Sequence, residues 1–107
     1  MSFVTAHVLD AVAGVPAQGV AITLSDDRGE LAAAATDADG RVTDFGPDQL
    51  EPGPYEVAFG TGDYFAGRNQ DTFYPSVLVR FTVAVGQAHY HIPLLLSAYS
   101  YTTYRGS

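Results

Sequence analysis

Cysteine is absent from the 107 residues, and so is lysine. Without thiols there are no disulfides and no thiolate metal sites, so stability must come from packing, with assembly as a second source. Five arginines stand against twelve carboxylates, and the net charge of -7 repels a phosphate backbone and argues against nucleic acid as a partner. No apolar run approaches the roughly 20 residues that cross a bilayer. The opening MSFVTAHVLDAV also lacks the basic start and long apolar stretch of a signal peptide. A soluble, cytoplasmic protein with no membrane partner is the expectation. Also missing are an internal repeat, a low-complexity tract, a glycine-rich phosphate loop and a G-x-S-x-G elbow.

What is present is sheet-forming sequence. Hydrophobic residues make up 47% of the chain and run along its whole length, enough for one domain over residues 1–107 with a real core. In SVLVRFTVAV, residues 76–85, Val77, Val79, Phe81, Val83 and Val85 alternate with Leu78, Arg80, Thr82 and Ala84, a period of two rich in β-branched side chains. Weaker alternation over residues 3–9, 20–24, 31–36, 55–59, 89–95 and 99–104, punctuated by SDDRG, DADG, PGP and VGQ, predicts seven strands. An eighth, short strand is expected near residues 41–43. TGDYFAGR breaks the pattern and predicts one short helix over residues 61–68, with Thr61 or Asp63 as its N-cap. The class is all-β, and a two-sheet β-sandwich closes the apolar faces most economically.

Titratable chemistry concentrates on few residues. The three histidines are His7, His89 and His91. Alternation in the first strand places Phe3, Thr5, His7 and Leu9 opposite Val4, Ala6 and Val8, so His7 faces away from the core. His89 and His91 share a face opposite Tyr90, Ile92 and Leu94, and an H-x-H pair of this kind, with His7 as a third ligand, can chelate zinc. Taken singly, a histidine on an outward sheet face is ordinarily just solvated. The same holds for Arg41 in TDADGRV, which reads equally well as an acidic turn ending in a solvated arginine, and for the carboxylates, most of which sit in turns. The last four residues, Tyr104, Arg105, Gly106 and Ser107, gather an aromatic ring, a cation and small polar groups behind an apolar strand. Such a tail is unexpected where chain termini ordinarily fray.

Three stretches taken together resemble the 5-hydroxyisourate hydrolases, also called transthyretin-related proteins. HVLDAVAGVPAQGV (residues 7–20) is similar to the family's opening motif, TDADGRV (36–42) to its middle motif, and HYHIPLLLSAYSYTTYRGS (89–107) to its C-terminal signature. VRFTV (79–83) and the Tyr74-Pro75 step are also in register, so the resemblance spans the chain. Ser76 stands where an acidic residue is expected and Ala98 where proline is common, both away from the chemistry. The resemblance implies a transthyretin-like sandwich assembled as a homotetramer, a dimer of dimers, with sites in the clefts between dimers. It implies His7, Arg41, His91 and Ser107 as catalytic residues, with His7, Arg41, Tyr104, Arg105 and Gly106 binding the substrate 5-hydroxyisourate. No metal and no cofactor are implied, and His89 is left as an accessory residue or an incidental metal ligand. Two rival classes are a transthyretin-like carrier of small hydrophobic molecules and a structural sandwich module; neither needs these residues together.

Overall fold

The computed structural model describes residues 2–106 and places them in two packed sheets and one short helix. In chain order the elements are β1 (Val4–Asp10), β2 (Val15–Pro16), β3 (Ala21–Asp26), β4 (Gly29–Ala35), β5 (Arg41–Val42), β6 (Gly53–Phe59), α1 (Thr61–Ala66), β7 (Val77–Val83), β8 (Tyr90–Leu96) and β9 (Tyr101–Thr103). One sheet runs β2-β1-β8-β9 with β5 also on β1, and the other runs β4-β3-β6-β7. All pairings are antiparallel except β1 with β8. That parallel pair brings the N-terminal histidine strand beside the C-terminal one.

The core lies between the sheets. Val4, Ala6 and Val8 of β1 and Tyr90, Ile92, Leu94 and Leu96 of β8 meet Ile22, Leu24, Val57 and Phe59 from the opposite sheet, all buried. Each fully buried aliphatic or phenyl side chain of this kind contributes about 1.5–3 kcal/mol of burial. Because side chains alternate, the other face of β1 and β8 is left pointing outward with Thr5, His7 and Leu9 beside His91, Pro93 and Leu95.

The seven main strands stand where alternation predicts them, and the boundaries move where turn chemistry intervenes. β7 stops at Val83, and Val85 is exposed, because the chain turns at Gly86 with φ +85° while the Ala84 amide donates to the Tyr90 hydroxyl at 2.8 Å. β2 is an addition: two residues hairpinned onto the end of β1. β9 covers only three residues of the expected 99–104. The helix ends at Ala66, two residues early, and its N-cap is Gly60 with no side-chain cap bond, not Thr61 or Asp63. Thr61 is turned inward and fully buried instead.

One carboxylate departs from the solvated pattern. Asp10, at the end of β1, is buried and accepts the amides of Val12 and Ala13 on Oδ1 at 2.9 and 3.0 Å and the Tyr64 hydroxyl on Oδ2 at 2.7 Å. Arg68 approaches it at 3.8 Å with its guanidinium over the Tyr64 ring. Burial, with the Asp10 contact second, raises the Tyr64 phenol to about 12. These bonds fasten α1 to the end of β1 and so fix the strand that carries His7.

Candidate active site

His7 is placed by two ladders. Its register partners are Arg41 on the antiparallel β5 side and Pro93 on the parallel β8 side, so the Arg41 side chain stands beside it on the outward face. β5 can lie this close to β1 only because residue 40 is glycine. Its φ is +74°, its carbonyl accepts the Val8 amide at 2.7 Å, and a Cβ there would meet the Val8 carbonyl oxygen at 2.3 Å. The turn before it is organised by Asp37, whose Oδ1 accepts the amides of Asp39 and Arg41 at 2.9 Å each. TDADGRV is thus an acidic turn and also the device that aims Arg41. The Asp39 carbonyl lies 3.0 Å from His7 Nε2. A carbonyl only accepts, so His7 carries a proton on Nε2, and in its neutral form its free lone pair is on Nδ1.

His91 lies opposite Thr5, two residues along the same face. The His7 and His91 ring centroids are 6.5 Å apart, tilted by 33°. Thr5 Oγ1 sits 2.8 Å from His91 Nδ1 and 3.1 Å from His89 Nε2. Burial lowers the His91 pKa below its ordinary value, and the electrostatic influence of Arg41, then His7 and His89, works in the same direction. His91 is therefore protonated less readily than a free imidazole. Among the described residues no group of three His, Asp or Glu side chains converges as a metal ion requires, so the H-x-H pair does not close on His7 as a chelate.

The tail is positioned by Pro93. β9 pairs Tyr101, Thr102 and Thr103 with Leu96, Leu95 and Leu94. The next residue of β8, Pro93, has no amide hydrogen to give the ladder. Pairing resumes in the same register at His91 and Gly106, where the Gly106 amide donates to the His91 carbonyl at 2.9 Å. Residues 104–106 are therefore an interrupted continuation of β9. Alternation puts Tyr104 and Gly106 on one side and Arg105 on the other. Arg105 is accordingly not brought to the histidines: its guanidinium lies 4.5 Å from the Tyr90 ring centroid and donates to Gln87 Oε1 at 2.8 Å. Gly106 is pressed against His91, and a Cβ there would fall 2.5 Å from the ring's Cδ2.

Of the predicted site residues, then, His7, Arg41, His91 and Gly106 are assembled on one outward face, Tyr104 is exposed at its rim, Arg105 turns away, and Ser107 lies outside the described residues. Thr5 belongs with them and carried no role in the sequence reading. The signal was its place on the His7 face, but only the parallel pairing of β1 with β8 shows that it stands between two histidines. Chemically the cluster offers two oriented imidazoles, a guanidinium and a backbone-anchored tail around an open surface, the equipment of acid-base catalysis on a small polar molecule.

A model described as the HIUase/Transthyretin family matches residues 4–106. The chain belongs to that family. A relative from Salmonella dublin, 5-hydroxyisourate hydrolase, is 43% identical over 99% of this chain and 82% of its own length. The solved 5-hydroxyisourate hydrolase of Klebsiella pneumoniae superposes with a TM-score of 0.91 at 33% identity, covering 99% of this chain and all 100% of that one. Transthyretin from Sparus aurata superposes almost as well, with a TM-score of 0.90 at 33% identity over 99% of this chain and 97% of its own. The HIUase/Transthyretin sandwich is thus common to all three, and by sequence the chain stands with the family's hydrolases.

Proposed function

We propose that the chain hydrolyses 5-hydroxyisourate, adding water to a ring carbonyl and opening the ring toward 2-oxo-4-hydroxy-4-carboxy-5-ureidoimidazoline in urate degradation. The observation that carries this reading is the convergence of His7, Arg41 and His91 on one outward face of β1, β5 and β8. A histidine in its neutral form takes a proton from the attacking water, a contribution of roughly 10²- to 10⁴-fold. The Arg41 fork hydrogen-bonds substrate oxygens and stabilises the negative charge that develops as the carbonyl is attacked. Tyr104 and Gly106 border the ring from the tail, Arg105 fastens that tail through Tyr90 and Gln87, and Ser107, next in the sequence, is proposed as a further catalytic group. The histidine face is open in a single chain, and in a homotetramer built as a dimer of dimers a second copy closes it into a water-poor cleft.

The test is spectroscopic. Urate oxidase generates 5-hydroxyisourate, and its absorbance decay is followed with and without the protein. Faster decay, lost on His7→Ala, Arg41→Ala or His91→Ala and much reduced on Arg41→Lys, is the expected result. An unchanged decay rate sinks the reading and leaves a transthyretin-like binding protein.

A further inference from the structure

One hydroxyl on the histidine face is under a tighter constraint than its neighbours. Thr5 is buried, and its Oγ1 lies 2.8 Å from His91 Nδ1 and 3.1 Å from His89 Nε2. A threonine hydroxyl has one hydrogen, so it donates to one ring and accepts from the other. If Thr5 donates to His91 Nδ1, neutral His91 carries its proton on Nε2 and has no lone pair left for water. If His91 Nδ1–H donates to Thr5 and Thr5 donates to His89 Nε2, the Nε2 lone pair of His91 is free. Only the second arrangement survives proton uptake without rotating the hydroxyl, because a protonated His91 must donate from both ring nitrogens. His7 needs no such device, since the Asp39 carbonyl 3.0 Å from its Nε2 fixes its tautomer outright.

We propose that Thr5 is a positioning residue which, by passing its hydrogen to His89, holds His91 as the Nδ1–H tautomer and presents Nε2 as the base. Thr5 and His89 thus do for His91 what a carboxylate does for the histidine of a hydrolase triad, with a neutral relay in place of a charge. The kinetic consequence rests on the hydrolytic reading above, whereas the tautomer does not.

The experiment combines ¹⁵N NMR of histidine-labelled protein, at a pH where the imidazoles are neutral, with turnover of 5-hydroxyisourate. In the wild type His91 Nδ1 should show the shift of a protonated ring nitrogen and Nε2 that of an unprotonated one. Thr5→Val, close in shape, should return His91 to the Nε2–H form that free histidine prefers and lower kcat about ten- to a hundredfold with KM little changed, the worth of one hydrogen bond to a developing charge. Thr5→Ser should keep both tautomer and rate. His89→Phe removes the acceptor without touching Thr5 and should shift His91 toward Nε2–H. A wild-type His91 protonated on Nε2, an unaltered tautomer in Thr5→Val or His89→Phe, or a Thr5→Ser protein as slow as Thr5→Val would each overturn the proposal. A wild type with no hydrolysis would remove the enzymatic reading, and the NMR result would still decide the role of Thr5.

Discussion

In the proposed mechanism the base works only while it is neutral, so with His91 in that role its pKa would set the pH range of activity. Burial first, and then Arg41, His7 and His89, push that pKa below the ordinary 6.5. The group resists protonation in the folded state, so its contribution to stability is complete above 6.5 and is lost as pH falls through the lowered value. The same shift sets the acid limb of the reaction. The kcat/KM profile for 5-hydroxyisourate should fall on the acid side at a midpoint below 6.5. Arg41→Gln, which removes a cation from beside the ring, should move that midpoint upward even as the rate drops. A limb that stays in place in Arg41→Gln would mean that the guanidinium does not feel the titrating group. At this scale the sequence was informative about residue types and faces, since alternation alone turned His7 and His91 outward. It said nothing about Thr5 or Asp10, whose roles depend on partners 86 and 54 residues away.

Among the elements, the interrupted edge strand links backbone chemistry most directly to the site. β9 plus residues 104–106 is one strand with a gap at Pro93, and the gap is what lets the tail swing free of the ladder and return as a wall against His91. Gly106→Ala tests this directly. The backbone there is not in the left-handed region, so alanine is conformationally acceptable, but its Cβ would lie 2.5 Å from His91 Cδ2 and force ring or tail to move. A displacement near 1 Å in a catalytic group costs about 10²-fold. The expected variant is about a hundredfold slower, with thermal unfolding within a few degrees of the parent, measured by decay of 5-hydroxyisourate alongside a circular dichroism melt. Parent-like turnover would show that contact with His91 is not what the tail supplies. The sandwich and its main strands were legible from period-two alternation, because that pattern records which face is buried. The exact ends of β7, β9 and α1 were not: VGQ marked the turn after β7 but not the Ala84 amide bond to Tyr90 that ends the strand two residues earlier, and neither the missing Pro93 hydrogen nor the inward turn of Thr61 leaves a periodic mark.

For the molecule as a whole, the question is what covers the outward face of β1 and β8. Around the histidines it carries half-buried Leu9 and exposed Leu95, with Val12 just beyond the strand, an apolar surround that is poor company for water. The proposed dimer of dimers buries this surround against a second copy, which also dries the histidine cleft and strengthens each electrostatic contact inside it. Fold alone does not choose between catalysis and carriage, since the transthyretin and hydrolase structures superpose on this chain equally well. Assembly and activity together do. Leu95→Arg places a cation on the face proposed to meet a second copy, at a side chain 39% exposed in the single chain. In sedimentation the parent should run at about four times the 11.3 kDa of the chain. The variant should run at half the parent's mass, keep its strand spectrum, and lose hydrolysis in proportion to the tetramer lost. Dilution of the parent should lower activity per chain in step with its dissociation. A Leu95→Arg dimer that turns over substrate at the parental rate would show that each site is complete within one dimer, and the apolar surround would then need another explanation than closure of the cleft.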